Sequence, residues 1–190
     1  MAVALCIAGT QAAGLKSMFV TMCKPLHVGK AAQNGLFAAE MAARGFTANP
    51  AVIECVQGFG DTQTDTFAPE KGLDGLGERY LLPTMRFKYH AACYGTHAAI
   101  DATASLKRDN NIDADNVERI EVHVKESNLK MCNIENPVTG LEGKFSLRFT
   151  AAMAMLGENT GLIANFNDAQ TPDPEIVAVP DKITVVTTRG

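Results

Sequence analysis

Three short runs of the chain carry side chains that could do chemistry. In residues 24–35, KPLHVGKAAQNG, an ammonium (Lys24) and an imidazole (His27) stand three positions apart at the start of a helix-forming stretch. Once the backbone turns helically such a pair shares a face, and the helix start turns unpaired N–H groups and positive dipole toward an anion. Lys24 would neutralise a carboxylate there, and His27 would exchange a hydrogen bond or a proton with it. The same pattern also reads as a solvated cationic pair with no ligand.

Residues 86–97, RFKYHAACYGTH, are followed by Asp101. Lys88 leads into a predicted helix start, where its charge and the backbone N–H groups converge, and His90 offers a further imidazole for substrate contact. His97 and Asp101 are spaced i, i+4, so the carboxylate is expected to orient the ring and raise its pKa, which makes His97 a substrate-binding candidate or leaves a bond that only secures the helix. Cys93 reads either as a low-pKa thiol at a helix start or as a small packed residue. In residues 143–149, GKFSLRF, helix capping accounts for Ser146 without any catalytic role, while Lys144 and Arg148 are candidates to bind substrate. His123 falls on the polar face of a predicted strand, where solvation explains it.

The elements that must hold these groups follow from periodicity. Residues 2–14 are apolar almost all round, the pattern of a helix enclosed by neighbours. Ala32, Leu36, Ala39 and Ala43 recur at helical spacing, which predicts a helix over 29–44 stopped by Gly45, and a short one is expected over 50–55. From 57 to 82 glycines alternate with polar residues, as in a long loop. A second unit then follows: a helix over 97–108 opened by Thr96, a strand over 117–125 with Ile120, Val122 and Val124 on one face, and a polar loop through 136–140. A helix over 146–156 stopped by Gly157, a helix start at Asp173-Pro174 and a strand over 182–188 complete it. The order predicts an α+β protein: part of an all-helical domain with its linker over 1–82, then a smaller α+β domain over 83–190 with helices on a short sheet.

Composition narrows the function classes. The 190 residues are 46% hydrophobic and 20% charged with a net charge of −4, typical of a globular protein and without a basic stripe for nucleic acid. The five cysteines form no C-x-x-C pair, which argues against zinc ribbons, iron–sulfur clusters and a disulfide framework and suggests a cytoplasmic protein. The apolar opening lacks a basic leader and is too short to span a bilayer.

Several pieces, in this order and at these separations, resemble the MmgE/PrpD family, which includes 2-methylcitrate dehydratases, cis-aconitate decarboxylases and iminodisuccinate epimerases. They are AGTQAAGL at 8–15, the KPLHxGxAAxNG run at 24–35, GFT at 45–47, GF at 58–59, the FKxxxxCxxTHAAIDA run at 87–102 and KFSL at 144–147. The resemblance implies a large helical domain, a smaller α+β domain and an active site in the cleft between them. It also implies a chain about twice this length, so the present one is expected to be an interior segment, inactive alone, of a homodimeric, cofactor-independent and metal-free enzyme. By the same resemblance Lys24, His27 and Lys88 are catalytic candidates in a 2-methylcitrate dehydratase-like lyase, or an epimerase or decarboxylase, acting on a small di- or tricarboxylate. Where relatives with an F-S-x-x-Y pattern carry a tyrosine, this chain has Phe149, which has no proton to give. The family's histidines of the earlier helical region have no counterpart here. A non-catalytic remnant, or an oligomerisation module built on the small-residue helices, is the competing reading.

Overall fold

The apolar run that follows Ser146 becomes the axis of the C-terminal unit. Helix α8 (Leu147–Leu156) begins where the Ser146 hydroxyl accepts a hydrogen bond from the Phe149 amide at 3.2 Å. It stops at Gly157, whose φ of 87° is open to glycine at little cost. Lys107 closes the same end by donating from Nζ to the Met155 carbonyl, a cation placed at the negative end of the helix. The computed structural model describes residues 1–171, 176 and 178–188. The chain divides into two units, Met1–Met85 and Arg86–Gly190.

In the second unit α5 (His97–Asn110) lies along α8 and ends with Asn111 in the left-handed region. Strands β1 (Ile120–Val124) and β2 (Ile183–Thr187) pair in parallel, with Ile120 opposite Ile183 and Val122 opposite Val185. Parallel neighbours need a long crossover, and this one carries α6 (Glu126–Cys132), α7 (Gly140–Gly143) and α8. Leu147, Ala151, Ala152 and Met155 of α8 meet Val122 and Ile183 of the sheet in one core cluster. Phe149 and Met153 meet Ile100 of α5 and Phe166 in another. Helices on a two-stranded sheet make the protein α+β, as expected.

Details depart from expectation where elements are short. The first strand shrinks to five residues because Ala114–Asn116 closes a 3-10 turn before it. Helices α6 and α7 stand where no helix was expected: seven and four residues are too few for a period to show. A capping box nevertheless fixes α7, the Thr139 hydroxyl accepting from the Glu142 amide while the Glu142 carboxylate accepts from the Thr139 amide. The predicted helix start at Asp173-Pro174 lies outside the described residues.

The first unit is built on α1 (Ala2–Gly9) and α2 (Cys23–Ala43), which pack against each other. Helix α1 is shorter than the predicted 2–14 and buries only Cys6 and Ile7, so within the described residues it is not enclosed on all sides. Helix α2 starts at Cys23, six residues ahead of expectation. Pro25 falls in its first turn, where a missing N–H breaks no helical bond, so the proline does not delay the helix. Asn34 anchors the pair by donating from Nδ2 to the Gln11 carbonyl at 2.9 Å. Residues 50–55 form turns rather than a helix, while the expected loop over 57–82 contains α3 (Phe59–Gln63) and α4 (Pro69–Leu73). No helix among the described residues is long and apolar enough to cross a membrane.

Candidate functional site

In the first unit Lys24 and His27 occupy the first turns of α2 rather than a loop ahead of it. Lys24 is exposed, with Nζ 5.2 Å from the centre of the Phe19 ring, within cation–π range. His27 is half-buried and packs beside Gly14. At φ 124°, a Cβ on Gly14 would stand 3.2 Å from the imidazole, so this approach relies on glycine.

The second unit gathers Lys88, His90 and His97 around one loop, which is pinned from outside. The Ala91 amide donates to the Thr160 carbonyl at 2.8 Å, and the Cys93 amide donates to the Lys144 carbonyl at 2.8 Å. Lys88 is exposed on this frame, its Nζ donating to the Ala92 carbonyl at 3.2 Å. Among the described residues no carboxylate pairs with it, whereas Arg108, Arg119, Lys130 and Arg148 in the same unit are all ion-paired.

His90 takes the partner expected for His97. Its Nε2 lies 3.0 Å from Asp101 Oδ1 and its Nδ1 lies 2.7 Å from Thr160 Oγ1, so both ring nitrogens are engaged. His97 turns inward at only 8% exposure, its ring edge-on to His90 at 4.9 Å and beside Tyr94 at 5.2 Å. Asp101, one turn further along α5, stays in solvent with its side chain 72% exposed. Following the histidine inward would strip the carboxylate of water, so the i, i+4 pair does not form. The expected rise in the His97 pKa is therefore reversed. Burial pushes it below the ordinary value of 6.5, the positive charge of Lys88 and the neighbouring His90 press the same way, and a bond to the Ala92 backbone and the charge of Asp101 only partly offset them. Its Nε2 is buried and has no hydrogen-bond partner among the described residues.

The remaining candidates serve the frame. Lys144 is half-buried with Nζ 5.8 Å from the Phe166 ring centre. Arg148 donates from Nε to the Ile183 carbonyl, from Nη1 to Asn133 Oδ1 and from Nη2 to Glu135 Oε1, each at 3.3 Å. All three guanidinium nitrogens are thus spent bracing α8, one against β2 and two against the loop that follows α6. Phe149 is 2% exposed and packs on Phe166 at 6.3 Å between ring centres, a core position. His123 sits on the open face of β1 with Nε2 3.3 Å from Glu121 Oε2.

Three participants were not foreseen. Arg86 donates from Nη1 to the Tyr94 hydroxyl at 3.3 Å, a bond that raises the arginine pKa, and Thr160 holds His90 from a distant loop. Arg86 and Tyr94 lie inside the run already singled out, but nothing local marks Thr160. Among the described residues no three His, Cys, Asp or Glu side chains converge as a metal site.

Comparison with known proteins agrees with the two-part architecture. Residues 1–71 match the MmgE/PrpD N-terminal domain and residues 90–189 the MmgE/PrpD C-terminal domain. Similar proteins include a cis-aconitate decarboxylase of Aspergillus terreus, 28% identical over 199 residues, and those of Homo sapiens, 28% over 187, and Mus musculus, 26% over 189. Each alignment takes in 95% of this chain but only 38–40% of the relative, so the chain spans about two-fifths of their length. With the N-terminal match on the helical unit and the C-terminal match on the unit that carries Lys88, the chain belongs to the MmgE/PrpD family.

Proposed function

We propose that the whole protein to which this chain corresponds is a cofactor-independent lyase acting on a small di- or tricarboxylate. Lys88 carries the reading: an exposed ammonium with no carboxylate partner among the described residues, on a loop held by backbone bonds to residues 144 and 160. A fixed, unneutralised cation stabilises the charge that develops when a carbon next to a carboxylate loses a proton or carbon dioxide. Lys24 binds a carboxylate in the same chemistry, and His27 moves a proton or donates to the substrate. Lys144 and His97 assist from the ends of the helices that flank the loop, His90 orients it through Asp101 and Thr160, and Arg148 acts as a brace.

The names of the relatives favour decarboxylation over 2-methylcitrate dehydration, and epimerisation follows from the same proton loss. The assignment carries with it a cytoplasmic homodimer. The 190 residues alone are expected to be inactive. A non-catalytic oligomerisation module is the second reading, favoured by the apolar side chains Leu26, Val28, Leu36 and Phe37 that α2 leaves exposed among the described residues.

The decisive experiment assays the whole protein against cis-aconitate, 2-methylcitrate and iminodisuccinate, with Lys24→Ala and Lys88→Ala beside it. Each substitution is expected to lower kcat/KM by roughly tenfold or more. Wild-type turnover in both variants, or no turnover of any of the three acids, overturns the proposal.

A further inference from the structure

Two cysteines meet beside the Lys88 loop, and none of the roles above uses them. Cys132 is the last residue of α6 and is fully buried. Cys93, just before the turn Tyr94–Thr96, is only partly buried. The Cys132 and Cys93 side chains share a hydrogen bond, and Cys93 packs against the apolar cluster that Cys132 helps to form. Gly95 makes room for this contact, since a Cβ there would stand 2.7 Å from Cys132 Sγ. The two segments are also tied by a bond that involves neither sulfur, Asn128 of α6 donating from Nδ2 to the Gly95 carbonyl at 3.1 Å, while the Cys93 amide is held separately by the Lys144 carbonyl. The other three cysteines, Cys6, Cys23 and Cys55, belong to the first unit.

We infer that Cys93 and Cys132 are a redox pair, in which a peroxide oxidises Cys93 and Cys132 closes an intramolecular disulfide on it. Exposure assigns the order, because only Cys93 is open to the oxidant while Cys132 is buried against its sulfur. The bond to Cys93, and burial after it, also push the Cys132 thiol above its ordinary range, so it is not the first to react. Hydrogen peroxide transfers one oxygen to the Cys93 sulfur, giving a sulfenic acid and water. The Cys132 sulfur then attacks the oxidised sulfur. The S–S bond forms, the S–O bond breaks, and the hydroxyl leaves with the Cys132 proton as a second water. In total two thiols give up two electrons and the peroxide takes them. The product joins the loop bearing Lys88 and His90 covalently to α6. This inference does not depend on the carboxylate reading.

The test treats the intact 190-residue chain with limiting hydrogen peroxide under native conditions, followed by alkylation and peptide mapping. Two of its five thiols should escape alkylation and return with dithiothreitol, and the map should show Cys93 linked to Cys132. In Cys132→Ser the oxidation should stop at a Cys93 sulfenic acid trapped by dimedone. In Cys93→Ser, Cys132 should stay fully alkylatable after denaturation. A linked peptide in the wild-type map supports the inference even where a variant does not fold. Thiols consumed without that peptide, or Cys93 linked to Cys6, Cys23 or Cys55 instead, overturns it.

Discussion

The two units spend their apolar residues in opposite ways. Of the twenty buried apolar side chains among the described residues, only Cys6, Ile7 and Ala38 lie in the first unit, and the rest surround α8 and the sheet in the second. In the first unit Leu26, Val28, Leu36 and Phe37 of α2 are all more than half exposed. At about 25 cal/mol per Å² of buried apolar surface, the second unit has its own source of stability, while the first leaves much of its own unused. A complete core, not helix content, separates a unit that can hold the Lys88 loop in place from one that only presents residues.

Matched truncations test this contrast most severely. Phe149→Ala empties a site in the α8 core and should cost about 3–5 kcal/mol, whereas Phe37→Ala on α2 should stay within about 0.5 kcal/mol. Hydrogen exchange in urea, followed separately in α8 and α2, reads both. Equal losses would mean that the first unit has a core of its own.

The parts of this contrast that were legible in the sequence are the long, punctuated elements. α5 and α8 announce themselves through period and stop signals, and the two strands through alternation. α3, α4, α6 and α7 are too short to carry a period, and nothing in the apolar spacing marks the start of α2 at Cys23, ahead of Pro25. At the site, Lys88, His90 and His97 stand in one run, so their neighbourhood was visible. Their partners were not. Spacing places Asp101 near His97 but cannot say which ring is drawn into the core, and Thr160 reaches His90 only through the tertiary fold. The partners of Arg148 were hidden for the same reason: its three acceptors come from a strand and a loop well separated from it along the chain.

A smaller effect sharpens the comparison at the helix starts. Ser146 is fully buried and its hydroxyl caps α8, so Ser146→Ala should cost about 1 kcal/mol. Met22 stands in the same place on α2 and supplies no side-chain cap, so Met22→Ala should change stability by no more than about 0.5 kcal/mol. Urea midpoints for the two variants provide the check, and equal costs would mean that the α8 cap is not a distinguishing support.

The smallest expected effect is a pH dependence confined to the second unit. His97 binds a proton less readily when folded than its ordinary value of 6.5, chiefly because it is buried. As pH falls past that value the unfolded chain takes up the proton first, so the folded state loses ground until the pH passes the lowered folded value. The histidine therefore contributes full stability above its unfolded pKa and less in acid. His97→Gln removes the titration, so its stability should fall less than the wild type's between about pH 7.5 and pH 5.5. Lys88→Met should act the same way but more weakly, since the lysine charge is one of the lesser causes that hold the His97 pKa down. Amide exchange in α5 and α8 should register the difference while α1 and α2 do not. A wild-type slope unchanged by His97→Gln would mean that the buried imidazole titrates as it does in the unfolded chain, and that its orphaned Nε2 has a hydrogen-bonding partner in solution.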